Sequence, residues 1–515
     1  MSRRRRVALA VVVGAALLPV PASEAAQKTP SRARRDANRM RIYRTRYARL
    51  RQEFARDLGK IAAYCSEHGL GKEASGLRRL AAAAVRTETG DRFSRLPRKV
   101  LPEVPRDLPD AQRQWRLQLR KARATLANGL YRISRDAINA GFPSYAYAMV
   151  RETVRYDADH VSGRRLLGYV RMGDAWVTPF EKKQAQKRKV WHDRFGWLPK
   201  DHVRKYEAGM RFSRGRWVPK ARDEAEHRDF DKNPWRIQTE HFLVKTNHSL
   251  EEGVRVAKRL EDYYQYFFQI YTGFFNSRQQ IRKLFAGGFA TKNVRMQLYK
   301  VNYYRSKDEY VNRLKRQFPT IAGTNGLYLP ADRRCHFFHA KGNTPTLYHE
   351  ATHQFFYESI KRQRLIAGRE HFWIIEGISC YMESFQNDNG RISMGDPRNN
   401  RFRAAKFRYV TDGFYIPLSE FADMGMQAFQ SPRNIQQRYS QASGLAKFFM
   451  EYGGGKYRDA LVEHLSQIYR GNPRRPAQSL PELTGVSYKE LDRQYGAFIK
   501  ALPVRVPPPR VNAGQ

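Results

Sequence analysis

The sequence predicts an α+β fold, on three observations. Strand-like segments gather between residues 242 and 338, helical spacing dominates on either side, and hydrophobic residues make up 41% of the 515, with 13% aromatic. Strands first and helices afterwards is the order of an α+β domain, and that apolar content excludes global disorder. The length leaves room for two or three domains. Lys and Arg number 95 against 49 Asp and Glu, a net charge of +46. Charge of that size attracts polyanions but specifies no fold. Three cysteines, Cys65, Cys335 and Cys380, contain no CxxC pair, which excludes a cysteine-rich zinc module and a disulfide-dense scaffold.

Residues 1–25 read as a signal peptide. A basic start at 3–6 precedes an apolar run at 7–18, too short to span a bilayer, and Ser23-Glu24-Ala25 is a small-residue cleavage signal. The expected location is therefore exported: periplasm, cell envelope or cell exterior. Residues 26–125 read as a basic helical lead and a Pro-containing linker. Ten Arg stand between Ser31 and Arg56, while Ile42, Tyr43, Tyr47, Leu50 and Phe54 recur at three and four, the spacing of an amphipathic helix. Its basic face reads either as a solvated surface or as an anchor on an anionic membrane or acidic polymer. Helical spacing continues to Val85, and Pro97, Pro102, Pro105 and Pro109 mark the linker.

Residues 126–235 read as a helix pair followed by duplicated hairpins. The helical pattern from 126 to 170 breaks at Tyr156-Asp157-Ala158-Asp159-His160, with Asp159 a candidate cap. Gly168, Trp176 and Val177 are matched 41 residues later by Gly209, Trp217 and Val218, each copy a short hairpin. Trp residues so placed serve as buried anchors; stacking on bases or sugars needs an exposed ring platform. Residues 236–502 hold the strands, at 242–246, 294–301, 326–329 and 335–338, with Ser249 capping a long helix. Long helices fill the rest from 346, and a Pro-rich tail, 503–515, ends the chain.

The chemistry lies in Thr346-Leu347-Tyr348-His349-Glu350-Ala351-Thr352-His353. On a helix His349 and His353 stand one turn apart on one face and present two imidazoles to one metal ion, with Glu350 beside its open position. Pro345 suits the first turn, and Thr344 is a candidate cap. A second amphipathic stretch follows, from His371 through Trp373, Glu376, Gly377, Ser379, Cys380 and Tyr381 to Glu383. Glu376 lies 23 residues beyond His353, enough for an antiparallel return, and Gly377 admits another backbone at close range. Two His and one Glu with the fourth position open form a catalytic zinc set.

These residues resemble the gluzincin zinc metallopeptidases. The match is His349-Glu350-x-x-His353 followed by Trp373-x-x-Glu376-Gly377-x-Ser379-x-Tyr381-x-Glu383, and it covers roughly residues 240–500. The whole chain is similar to an uncharacterised, exported peptidase-MA-like family. The resemblance implies a gluzincin-like domain with a mixed sheet and a helical carboxy-terminal half. It implies one Zn2+ per chain on His349, His353 and Glu376, Glu350 as general base, and a peptide or protein substrate. Gln437-Arg438-Tyr439-Ser440-Gln441-Ala442 is similar to the Tyr-x-Lys-Gly-Ala helix start of aminopeptidase-like members, which makes Tyr439 the oxyanion donor by the same resemblance. Gln441 and Ala442 depart from that pattern.

Other departures bear on specificity. No Gly-x-Met-Glu-Asn segment precedes the two histidines, so the anchor for a free amine is missing and an endopeptidase is favoured. The nearest equivalent, Gly323-Thr324-Asn325-Gly326-Leu327-Tyr328, reads as an edge strand along which an extended peptide pairs. Cys380 stands where a thermolysin-type acid would, leaving Glu383 as the candidate for orienting a ligand histidine. Phe356 and Ser359 exclude a metzincin. His336, His339 and His371 read as ordinary strand or surface histidines, and Cys380 as a buried small hydrophobe. The alternative to an enzyme is a non-catalytic zinc-containing envelope protein that holds acidic polymers. Glu350 argues against it, since a structural site gains nothing from that carboxylate. Nucleic acid is not an expected partner, because no recognition motif accompanies the charge.

Overall fold

The computed structural model describes residues 30–85, 93–94, 96–287, 297–359, 367–388, 390–471 and 476–507. The expected signal peptide and residues 508–515 of the tail lie outside them. Helices α1 (Pro30–Glu67), α2 (Gly71–Val85), α3 (Asp110–Ala140) and α4 (Pro143–Tyr156) pack as a bundle. Tyr43, Phe54, Leu58 and Ile61 of α1 meet Leu77, Leu126, Ile133 and Val150 in one core. Ile42, expected on that stripe, is 53% exposed, because adjacent helical residues point about 100° apart and Tyr43 takes the inward direction. The boundary expected at 125 falls inside α3, which packs along its length against α1 and α4.

Four of the α1 arginines are tied into the protein. Arg46 pairs with Asp136, Arg49 with Glu53, and Arg51 reaches the Ala83 carbonyl, the Tyr47 hydroxyl and Glu152. Arg44 donates to the carbonyls of Gly453 and Gly454 at the far end of the chain. Helical continuity from 126 to 156 is broken at Gly141, whose φ of 91° ends α3 in the left-handed region, and Pro143 opens α4. The cap of the short helix Val161–Leu166 is His160, not Asp159: the imidazole accepts from Gly163 N. Asp159 instead accepts from Trp176 Nε1 at 2.8 Å and from Leu101 N at 3.0 Å.

Three hairpins follow, where two were expected: β1 (Val170–Met172) with β2 (Ala175–Val177), β3 (Lys189–His192) with β4 (Gly196–Pro199), and β5 (Met210–Ser213) with β6 (Arg216–Pro219). Each second strand carries a Trp, at 176, 197 and 217, and each turn has a glycine at positive φ, Gly173, Gly196 and Gly215. Short helices Pro179–Gln186, Val203–Glu207 and Lys220–His227 follow the respective hairpins. Just before each first strand the chain turns through positive φ, at Gly168, Arg188 and Gly209. Arg188 in place of glycine is what hides the middle copy in the sequence.

A five-stranded sheet comes next: β7 (Trp235–Gln238), β8 (Phe242–Thr246), β9 (Tyr299–Tyr304), β10 (Gly326–Leu329) and β11 (Arg334–Phe338), in the order β10-β11-β9-β8-β7. Strands β8, β9 and β11 are parallel, and the two edges, β7 and β10, run antiparallel. Ser249 accepts from Glu252 N and so caps α5 (Leu250–Ile270), which links β8 to β9. The strand expected at 294–301 begins at Tyr299, whose N–H bonds the His241 carbonyl; residues 294–296 lie outside the described ones. Helices α6 (Thr344–Glu358), α7 (Phe372–Met382), α8 (Ile435–Gly455), α9 (Arg458–Arg470) and α10 (Tyr488–Lys500) build the carboxy-terminal half. Its core is aromatic, with Phe355, Trp373, Phe448 and Phe449 at 0% exposure. The fold is thus α+β. No helix among the described residues is long and apolar enough to cross a membrane.

Candidate metal centre

Helix α6 starts with Pro345 in its first turn, but Thr344 does not cap it. No side chain bonds the first turn, and Thr344 Oγ1 instead accepts from Arg259. One turn further on, the i and i+4 spacing of His349 and His353 brings their Nε2 atoms to 3.1 Å of each other. Helix α7, buried on every side, returns alongside and adds Glu376. Its carboxylate oxygens lie 3.5 Å from His349 Nε2 and 3.8 Å from His353 Nε2. A tetrahedral zinc with bonds of about 2.0–2.1 Å has edges of about 3.3 Å between ligand atoms. The three expected ligands therefore close one face of such a tetrahedron, and their donor set fits the ion.

Surrounding groups fix these ligands. Glu383, seven residues past Glu376 on α7's continuation, accepts from His349 Nδ1 at 2.7 Å. Its two oxygens are held by the Arg401 guanidinium at 2.8 and 2.7 Å, a bidentate pair that sets the carboxylate plane. Ser379 Oγ stands 3.5 Å from His353 Nδ1. A second grouping, His349, Cys380 and Glu383, also lies within metal reach. Its Glu383 carboxylate is already bonded to His349 Nδ1 and neutralised by Arg401, so the first grouping is the better site. Arg401 was not legible in the sequence: it stands 18 residues beyond Glu383 in no motif.

Burial and charge act on the three groups in different directions, and burial lowers the pKa of His353. Burial opposes protonation of His349, yet Cys380, Glu376, Glu383 and Glu350 around it raise its pKa well above the ordinary value. Burial alone would raise the Glu376 carboxyl, but His353, His349 and a hydrogen bond from Tyr439 hold it below its usual range. Tyr439 reaches this position because α8 crosses α7 at contact distance. A Cβ placed on Gly377 would come within 2.6 Å of the Ala442 carbonyl oxygen, so only glycine permits the approach.

Glu350 lies on the side of α6 facing the sheet edge, where its Oε2 accepts from the backbone N–H of Tyr328 at 2.8 Å. Among the described residues strand β10, which holds Tyr328, pairs only with β11, so it is an edge strand as expected. Among the other histidines, His336 is buried in β11 between Tyr304 and Asp332. His339 stacks on His248 at 4.0 Å. His371 is buried, with φ of 62°, against His464, which corrects the surface reading for that residue. The three cysteines are buried and free.

Residues 343–474 match a family model described as a protein of unknown function (DUF1570). The match spans α6 to α9 and includes His349, Glu350, His353, Glu376, Glu383 and Tyr439. No curated protein matches the chain.

Proposed function

We infer that the protein is a zinc-dependent peptidase, an endopeptidase in preference to an aminopeptidase. The observation that carries this reading is the triangle of His349, His353 and Glu376, with Glu350 on the helix of the two histidines and its carboxylate bonded to the Tyr328 N–H at the β10 edge. Zinc held there supplies Lewis acidity toward a carbonyl oxygen and makes a water easier to deprotonate. Glu350 takes the proton from the attacking water and returns it to the leaving amine. Tyr439 donates to the oxyanion that develops as the carbonyl becomes tetrahedral. Apart from the Tyr328 N–H, which Glu350 occupies, the outward backbone groups of β10 pair with an extended peptide and align its scissile bond. Export by residues 1–25 belongs to the same proposal.

The test combines metal analysis of the purified protein with cleavage of an unbiased peptide library. One zinc per chain and peptide hydrolysis are expected. Glu350→Gln should keep zinc and fold while losing activity by roughly a hundredfold or more, the scale of one acid–base group. A fully zinc-loaded wild type that cleaves nothing would favour the non-catalytic envelope protein instead.

A further inference from the structure

We propose that the third hairpin module docks the protein on an anionic lipid bilayer, with Phe212 seated at the interface and its neighbouring cations on the lipid phosphates. Between residues 182 and 220 the chain carries 13 Lys and Arg against 3 Asp and Glu. Lys200, Arg204, Arg214 and Arg216 are exposed and have no ion-pair partner among the described residues. Helix α1 is equally basic but is the weaker candidate, because Tyr43, Phe54, Leu58 and Ile61 are buried in the bundle and its arginines at 44, 46, 49 and 51 are bonded within the protein.

The two-residue period of β5 and β6 decides what the module presents. Arg211, Ser213 and Val218 are buried, so Phe212 and its cross-strand partner Trp217 take the other face. Phe212 is 43% exposed. Trp217 is not a free platform: Lys205 Nζ lies 4.6 Å from its ring centroid, and His202, Tyr206 and Phe212 meet it edge-on at 64°, 81° and 60°. Bases and sugars stack best on an open indole face, and the contacts around Trp217 leave it none. What the module offers is a half-exposed Phe212 ring packed on Trp217, with Lys205 over that indole, in a segment that carries further exposed cations. A hydrophilic polyanion gains nothing from that ring, whereas the headgroup boundary of a bilayer accepts it while acidic lipids hold the charges.

The experiment is sedimentation of the full chain with vesicles of phosphatidylcholine alone or mixed with phosphatidylglycerol. Binding is expected on the mixed vesicles only, weakening steeply as salt is added. Phe212→Ser should lower the partition coefficient about tenfold, for one partly inserted aromatic side chain. Arg204→Gln with Arg214→Gln should lower it about twentyfold, for two cations near the surface. All three side chains are exposed, so thermal melts should match wild type, and Arg46→Gln on α1 should leave partitioning unchanged. Absence of binding to mixed vesicles at low salt overturns the proposal. So does binding that survives both module variants, or capture by heparin or single-stranded DNA with no vesicle binding at the same salt.

Discussion

Glu376 and Glu383 stand seven residues apart and both reach His349, yet they answer to different tests. Glu376 offers its oxygens to the space shared by both Nε2 atoms, whereas Glu383 bonds the far side of one ring and is neutralised by Arg401. Glu376→Gln is expected to abolish tight zinc binding. Glu383→Gln should weaken it by about 10–100-fold, the usual cost of losing an outer partner of a ligand. Zinc titration against a chelating dye measures both, and equal losses would mean that the third ligand has been misassigned. Tyr439→Phe should leave zinc affinity and KM nearly unchanged and lower kcat by roughly tenfold to a thousandfold. A rise in KM alone would remove Tyr439 from the oxyanion role.

At the scale of elements, the crossing of α7 and α8 depends on one missing methyl group. Gly377→Ala would drive a Cβ against the Ala442 carbonyl, an overpacking worth about 1–3 kcal/mol, seen as a lower Tm. It should also lower turnover by moving Tyr439 away from Glu376. The hairpin array offers the opposite change. Arg188 holds φ of 55° where the flanking copies have Gly168 and Gly209, so Arg188→Gly should raise stability by about 0.5–1 kcal/mol in denaturant melts. Much of this was legible in the sequence, for identifiable reasons. The two helices of the candidate site were readable because i, i+4 spacing and a following Glu-Gly obey local geometry. The middle hairpin was not, because the glycine that would have revealed it is Arg188. Nor was the tie between Arg401 and Glu383, which depends on where α7's continuation meets the helix Asn400–Val410, a tertiary fact with no local signature.

For the molecule as a whole, acid stability should turn on His464. Burial, then the neighbouring His371, pushes its pKa from 6.5 down to about 3. His371 is itself lowered by burial, with Glu370 and Asp423 acting the other way. Unfolded chains therefore bind more protons than folded ones between those two values, and stability falls as pH drops from about 6.5 toward 3. Across the full window His464 alone accounts for a loss on the order of 4 kcal/mol. Urea melts at stepped pH should show His464→Gln losing less stability than wild type over this range; identical acid slopes would place the sensitivity elsewhere. The bundle sets a second expectation. Deleting residues 28–56 removes Tyr43 and Phe54 from a shared core, so the truncated chain should melt earlier and expose apolar surface to a dye such as ANS. An unchanged Tm would show that α1 is dispensable.

The bond from Arg44 to Gly453 joins residues 409 apart in sequence, and this has a consequence for the order in which the chain is secured. Contacts that close long loops carry a large entropic cost until the intervening structure is formed. Arg44 is synthesised long before the carbonyls it caps, with 409 and 410 positions between them. Helix α8, with Tyr439 in its opening turns and glycines 453–455 at its close, can form its own hydrogen bonds as it is made. The non-helical turn of Tyr452, Gly453 and Gly454 near its end is clamped only when α1 has docked, so a chain cut short before α8 lacks the carbonyls to which Arg44 donates.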